Sequence, residues 1–165
     1  MYQSQIRLGN ILWRGLFLTW FILNPVAVHS FESEQSIKYH ACLRLAEVNP
    51  IKGYKKGLEW YAVNGGIAAR HCMAVSILFG GDNLNGASRL EVLERDIPKE
   101  KAVLRSQILA QAGQALLMEG LVDRSSQLLT KAINLNPENP ELYLDRATVK
   151  IDQLKFIQAL NDLNQ

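Results

Sequence analysis

Two cysteines and two histidines are the residues of this chain best suited to chemistry. Cys42 and Cys72 are its only cysteines; His40 lies two residues before the first, and His71 directly precedes the second. Zinc accepts such a set of two thiolates and two imidazoles as ligands. Alternatively, His71 could activate a cysteine nucleophile. An even number of cysteines is also typical of a structural disulfide where a protein is exported.

Helix geometry favours the disulfide over the metal site. Both cysteines fall within predicted helices, where residues two apart point about 200° apart and adjacent residues about 100° apart. Each histidine–cysteine pair therefore converges poorly on one ion, and the sequence shows no orienting group for a nucleophile. We expect a Cys42–Cys72 disulfide, no metal and no cofactor, with zinc as the alternative. A bridge closing a loop of roughly thirty residues would contribute about 3–4 kcal/mol.

The N-terminus has the composition of a secretory signal. Residues 1–30 contain Arg7 and Arg14 and no acidic residue, followed by an apolar run over residues 16–23 and by small or medium residues leading to Ser30. This order is typical of a bacterial signal peptide, cleaved here after Ser30. The alternative is an uncleaved membrane anchor, although a span needs about twenty apolar residues. We therefore expect a periplasmic protein, or an inner-membrane-anchored one if the segment is retained.

Charge and motifs exclude several function classes. The chain has 18 basic and 16 acidic residues, and two of the basic ones lie in the predicted signal, so the mature chain would be neutral. Nucleic acid binding loses its main support, and the cluster of Lys52, Lys55 and Lys56 is interpreted as a solvated helix face. The sequence contains no nucleophile elbow, no phosphate-binding loop with lysine and no paired His-Glu metal motif. We expect a binding protein rather than an enzyme.

The elements that position these residues are predicted to be helices throughout. Apolar residues recur at helical spacing, separated by short breaks rich in Gly, Asn, Asp and Pro. Proline at positions 50 and 140 suits a first helical turn, and the glycines at 65–66 and 80–81 suit helix ends. The predicted helices cover residues 37–48, 51–63, 67–79, 84–96, 99–119, 122–134, 140–151 and 155–163. Short connections between them predict an all-α fold of antiparallel hairpins.

Self-comparison shows a repeat of 34 residues. In the unit over residues 106–139, small residues and a proline fall at positions 8, 15, 20, 27 and 32, namely Gly113, Gly120, Ser125, Ala132 and Pro137. The next unit begins at Pro140 and places Tyr143, Ala147 and Ala159 at positions 4, 8 and 20 in the same register. This pattern resembles the tetratricopeptide repeat (TPR). Arg146 at position 7 and Leu154 at position 15 depart from it.

The resemblance extends loosely upstream and divides the chain. Residues 58–96 resemble a degenerate hairpin of the same kind, with Ala74 and Ala87 as close-packing positions. We expect a signal peptide over 1–30, an N-terminal helical region over 31–98, and TPR repeats over 99–165, namely 106–139 and an incomplete 140–165. An incomplete repeat leaves an apolar face that a partner or a second copy could cover.

The resemblance also implies a function. Hairpins of this family stack into an α-solenoid whose concave groove, lined by the first helix of each hairpin, takes up a peptide or helix of a partner protein. Matching positions 2, 9 and 13 suggests Gln107, Gln114, Met118, Glu141 and Thr148 as groove residues. We expect a protein-interaction scaffold. The alternative is a membrane-tethered structural subunit of an envelope assembly, which touches the membrane only through its N-terminal segment.

Overall fold

The computed structural model describes the backbone of residues 25–165 and the side chains of residues 34–165. Within this part of the chain there are eight helices and no strand, which confirms the all-α class. The helices are α1 Pro25–Val48, α2 Pro50–Ala62, α3 Gly66–Phe79, α4 Asn83–Asp96, α5 Ala102–Met118, α6 Val122–Leu135, α7 Pro140–Asp152 and α8 Phe156–Leu163.

Two helix starts differ from the predicted ones. α1 begins at Pro25 rather than at residue 37, because residues 31–36 contain no glycine or proline and include good helix formers. The predicted cleavage position after Ser30 thus lies within α1, while residues 1–24 of the predicted signal lie outside the described residues. α5 begins at Ala102 rather than at residue 99, because the extended Ile97 and the turn at Pro98 delay it. All other ends agree within one residue.

Consecutive helices pack against each other along the whole described chain. In addition, α1 packs on α3 and α5 packs on α7, and in both cases these are the first helices of two successive hairpins. The main core runs from Ala74 in α3 to Val149 in α7. It therefore continues across the boundary predicted between the N-terminal helical region (31–98) and the repeats (99–165). At its centre lies α5, which buries Ile108, Ala112 and Leu116. The result is a row of antiparallel hairpins of the kind that helical-repeat solenoids contain.

Three of the hairpin turns have the same geometry. Gly81, Gly120 and Leu154 follow α3, α5 and α7 and adopt positive φ values of 88°, 71° and 59°. In each turn the amide of this residue donates to the carbonyl three residues earlier, and the next amide donates to the carbonyl five residues before it, at 2.8–3.2 Å. This is the Schellman motif that ends a helix. The hairpin α3–α4 is therefore equivalent in its turn to the two downstream hairpins.

The N-terminal hairpin is held by close backbone approach. Gly53 in α2 lies so near α1 that an added Cβ would be 2.5 Å from the Cα atom of Ala46. One turn later, a Cβ at Gly57 would be 2.7 Å from the Cγ atom of Met73 in α3. α2 thus packs on both α1 and α3 through glycines that share one helix face. This packing brings α1 and α3 together.

Candidate binding groove

A groove of about 380 Å³ lies across α1, α3 and α5. Each helix contributes side chains at helical spacing, so each presents one face to it. Six lining residues are apolar: Leu43 from α1, Val75, Leu78 and Phe79 from α3, and Ala115 and Met118 from α5. Val75 and Ala115 are buried and form the floor, whereas the side chains of Phe79 and Met118 are 54% and 78% exposed. The groove therefore has an apolar floor and a rim of accessible large side chains.

A hydrogen-bonded chain of three side chains crosses one end of the groove. The hydroxyl of Tyr39 lies 2.6 Å from Nδ1 of His71, and Nε2 of His71 lies 2.7 Å from Oε1 of Gln111. Because an amide oxygen only accepts, Nε2 of His71 donates to Gln111 and Nδ1 accepts from Tyr39. The chain links α1, α3 and α5, the three helices that form the groove.

His71 is the buried neutral member of this chain. Burial lowers the pKa of His71 below its usual value, and the hydrogen bond to Gln111 only partly offsets this effect. The imidazole is therefore uncharged at neutral pH, in agreement with the donor and acceptor roles of its two nitrogens. Burial also raises the pKa of the Tyr39 phenol, which stays protonated and able to donate.

The disulfide lies directly behind this end of the groove. Cys42 in α1 and Cys72 in α3 are bonded to each other, with their Cα atoms 6.0 Å apart, and both are buried. Their sequence neighbours Leu43 and His71 line the groove. The expected disulfide pair is thus present, and it fixes α1 against α3 beside the groove wall.

The structure gives no support to the zinc alternative. Sulfur atoms bonded to each other cannot also act as thiolate ligands. Elsewhere in residues 34–165, no cluster of three or more histidine, cysteine, aspartate or glutamate side chains has the arrangement of a metal site. His40 is exposed, and its ring lies 5.5 Å from that of Tyr39.

Carboxylates surround the polar part of the groove. Glu47 lines it directly. Two other lining residues are held by carboxylates: the amide nitrogen of Asn83 donates to Glu119 at 2.9 Å, and that of Gln114 donates to Asp145 at 2.8 Å. None of the ion pairs found among the described side chains involves Glu47, Glu119 or Asp145.

Asp145 is the most buried of these three carboxylates. Burial raises its pKa above the usual value, the hydrogen bond from Gln114 acts against this, and the nearby charge of Glu141 adds to the rise. Among the described residues that line the groove, none is a lysine or an arginine. The electrostatic character of the groove is therefore acidic.

Two of the five predicted groove residues line the groove. Gln114 and Met118 lie on its α5 wall. Gln107 in α5 and Glu141 and Thr148 in α7 are exposed, and they are not part of the lining. The hydroxyl of Thr148 donates to the carbonyl of Leu144 one turn earlier in its own helix.

The sequence interpretation missed the α3 wall, although a signal for it exists. Gln114 and Met118 lie six and two residues before the turn residue Gly120. Val75 and Phe79 lie six and two residues before the equivalent residue Gly81. The same register therefore supplies the groove residues of both hairpins once the turns are aligned.

Comparison with known proteins adds two negative findings. No model of a known protein family matches this chain, and no curated protein is significantly similar to it. A separate observation concerns membranes: none of the helices in residues 25–165 combines the length and the apolar character that a membrane crossing requires.

Proposed function

We propose that this chain is a TPR-type scaffold that binds a peptide or a helix of a partner protein in the groove across α1, α3 and α5. The observation that carries the proposal is the repeated lining. The residues six and two positions before each of two equivalent turns line one groove. Val75 and its neighbour Ala115 on α5 supply a buried apolar floor, and Phe79 and Met118 supply an exposed rim. Amphipathic helices are recognised by grooves with apolar floors and polar edges.

A site-specific crosslinking experiment tests this function in cells. A photo-reactive residue replaces the exposed Met118 in the groove, and a matched one replaces Gln127, which is exposed on α6. We expect a discrete crosslinked protein at position 118 only, and we expect Phe79→Lys to abolish it by placing a charge at the rim. Identical adducts at both positions, or none at position 118, would contradict the proposal.

The compartment forms a second part of the proposal. We place the protein in the bacterial periplasm, with residues 1–30 as a signal peptide, because a buried disulfide persists in oxidising compartments. The alternative is an envelope subunit that keeps its N-terminal segment as an anchor. The intact mass of protein from the envelope fraction separates the two: a chain starting at Phe31 supports export, and a chain starting at Met1 supports the anchor.

The C-terminal helix offers a second contact surface. Phe156, Ile157, Leu160 and Leu163 in α8 are each more than half exposed and share one side of the helix. We include self-association through this face in the proposal, since stacked repeats leave an apolar face to a neighbour. Light scattering across a concentration series tests it. Ile157→Lys should shift the protein to monomer, whereas Lys155→Ala should leave the mass unchanged.

A further inference from the structure

Charge around the groove narrows the class of partner, provided that the proposed scaffold function holds. The apolar floor and rim accept hydrophobic side chains of any partner, so they do not discriminate between partner classes. Three carboxylates at the groove, by contrast, distinguish basic partners from acidic ones. Glu47 lies in the groove, and Glu119 and Asp145 each accept a hydrogen bond from one of its lining amides.

These three carboxylates differ from the carboxylates that ion pairs between helices neutralise. Glu91, Glu94 and Asp162 each form an ion pair with an arginine on another helix. At the groove the hydrogen-bond donors are uncharged amides instead. The negative charge there is therefore not neutralised within the described part of the chain, and a ligand can neutralise it.

The hydrogen-bonding groups of the groove also favour a donor-rich ligand. The amide nitrogens of Asn83 and Gln114 each use one of their two N–H donors on a carboxylate of this chain, so each amide keeps its carbonyl oxygen and one N–H to pair with a ligand. The oxygen of Gln111 accepts from neutral His71, which adds no positive charge. Acceptors and carboxylates thus predominate, and they match the donors of lysine and arginine.

We propose that the groove selects a basic amphipathic segment of a partner protein, in which apolar side chains contact Val75, Phe79 and Met118 and flanking lysine or arginine side chains pair with Glu47 and Glu119. An acidic segment is disfavoured, because it would bring carboxylates next to carboxylates that have no cation. Asp145, which accepts the hydrogen bond from Gln114, adds a third negative charge that supports the same preference.

Peptide selection tests the charge preference before the partner itself is identified. A phage library of random dodecapeptides is selected against the protein as purified from cells, with counter-selection against the double variant Phe79→Lys/Met118→Lys. Both substituted side chains are exposed, and circular dichroism checks that the variant is folded. We expect the retained peptides to combine apolar residues with lysine or arginine.

Affinity measurements on one selected synthetic peptide then test the carboxylates individually. Glu47→Gln and Glu119→Gln should each weaken binding about twofold to fivefold, the range for partly exposed ion pairs, and together they should flatten the dependence of affinity on salt. The matched control is Glu138→Gln in the exposed α6–α7 turn, which should leave affinity unchanged.

The outcomes separate this inference from the function on which it rests. Groove-dependent peptides that are acidic or uncharged would keep the scaffold function and overturn the basic preference. Basic peptides that bind the Phe79→Lys/Met118→Lys variant equally well, or that ignore Glu47→Gln and Glu119→Gln, would also overturn it. If no selected peptide depends on the groove, both proposals fail.

Discussion

Removal of the Cys42–Cys72 disulfide should destabilise the fold and weaken binding in the groove. The perturbation is the double substitution Cys42→Ala/Cys72→Ala, with reduced wild type as a second form of the same change. Alanine is preferred to serine because both positions are buried, and a buried hydroxyl without a partner would add its own penalty. The bridge joins helices α1 and α3, which form adjacent walls of the groove.

The expected loss follows from the length of the loop that the bridge closes. The two cysteines are separated by 30 residues. For a loop of this size, the chain-entropy account gives about 3–4 kcal/mol of the free energy of unfolding. Small domains unfold with about 5–15 kcal/mol in total, so the loss is a large share of the stability.

Urea denaturation followed by circular dichroism measures this free energy with and without reductant. Reductant should lower the midpoint of wild type and have no effect on Cys42→Ala/Cys72→Ala, which serves as the control. Peptide affinity for the groove should fall in parallel, because α1 is no longer fixed against α3. The reasoning is refuted if oxidised and reduced wild type differ by less than about 1 kcal/mol, or if both thiols of the unreduced native protein react with an alkylating agent.

Three further changes test the packing and electrostatics of single residues. Gly53→Ala should lower the free energy of unfolding by about 1–3 kcal/mol, because the added Cβ would meet the backbone of Ala46. The control Lys56→Ala on the same helix should change the melting temperature little. Equal melting temperatures of the two variants would contradict this prediction. Leu154→Gly should raise stability to urea by about 1 kcal/mol, because glycine adopts the positive φ without strain and the leucine is 75% exposed; a lower midpoint would count against it. Asp162→Asn should cost about 1.5–3 kcal/mol at pH 7, where the hydrogen bonds from Arg146 and Lys150 are charge-assisted. Burial alone would raise the pKa of Asp162, but those two cations together lower it. This stability is therefore present above the unfolded-state pKa of about 3.9 and is lost as pH falls through the lowered folded-state pKa. The difference in urea stability between wild type and Asp162→Asn should narrow as the pH falls below the unfolded-state value, and an unchanged difference would refute the assignment.

Most helix boundaries could be predicted because their causes are local. Asn49 caps α2, which has proline in its first turn, and Asp82 caps α4 with its carboxylate. Such signals reside in a few adjacent residues, so the sequence displays them. The start of α1 is different: Ser36 is a residue type that often caps helices, but no glycine or proline separates residues 31–36 from the helix that follows, and α1 continues through them.

The α3 wall of the groove could not be predicted from a fixed repeat length. The turn residues Gly120 and Leu154 are 34 positions apart, whereas Gly81 and Gly120 are 39 positions apart. Part of the difference lies in the α4–α5 connection. The rest lies at the beginning of α5, because α5 begins further before its turn residue Gly120 than α7 begins before Leu154. A comparison at 34 residues therefore shifts Val75 and Phe79 out of register with Gln114 and Met118.

The hydrogen bonds across the groove depend on tertiary packing and have no sequence signal. Along the chain, 32 residues separate Tyr39 from His71, and 40 residues separate His71 from Gln111. They meet only because α1, α3 and α5 lie side by side. The sequence allowed His71 to be a metal ligand, a base or a partly buried residue, and its neighbours in space decide for a neutral, hydrogen-bonded residue.

Two kinds of restraint hold the groove before any partner binds. The disulfide fixes α1 against α3, and the Tyr39–His71–Gln111 chain links both helices to α5. A preformed groove lowers the ordering cost of binding, since only the partner has to lose conformational freedom. Because His71 is neutral, these restraints place no positive charge at their end of the groove. If the proposed function holds, apolar contacts provide affinity at the floor, and Glu47 and Glu119 select the charge of the partner.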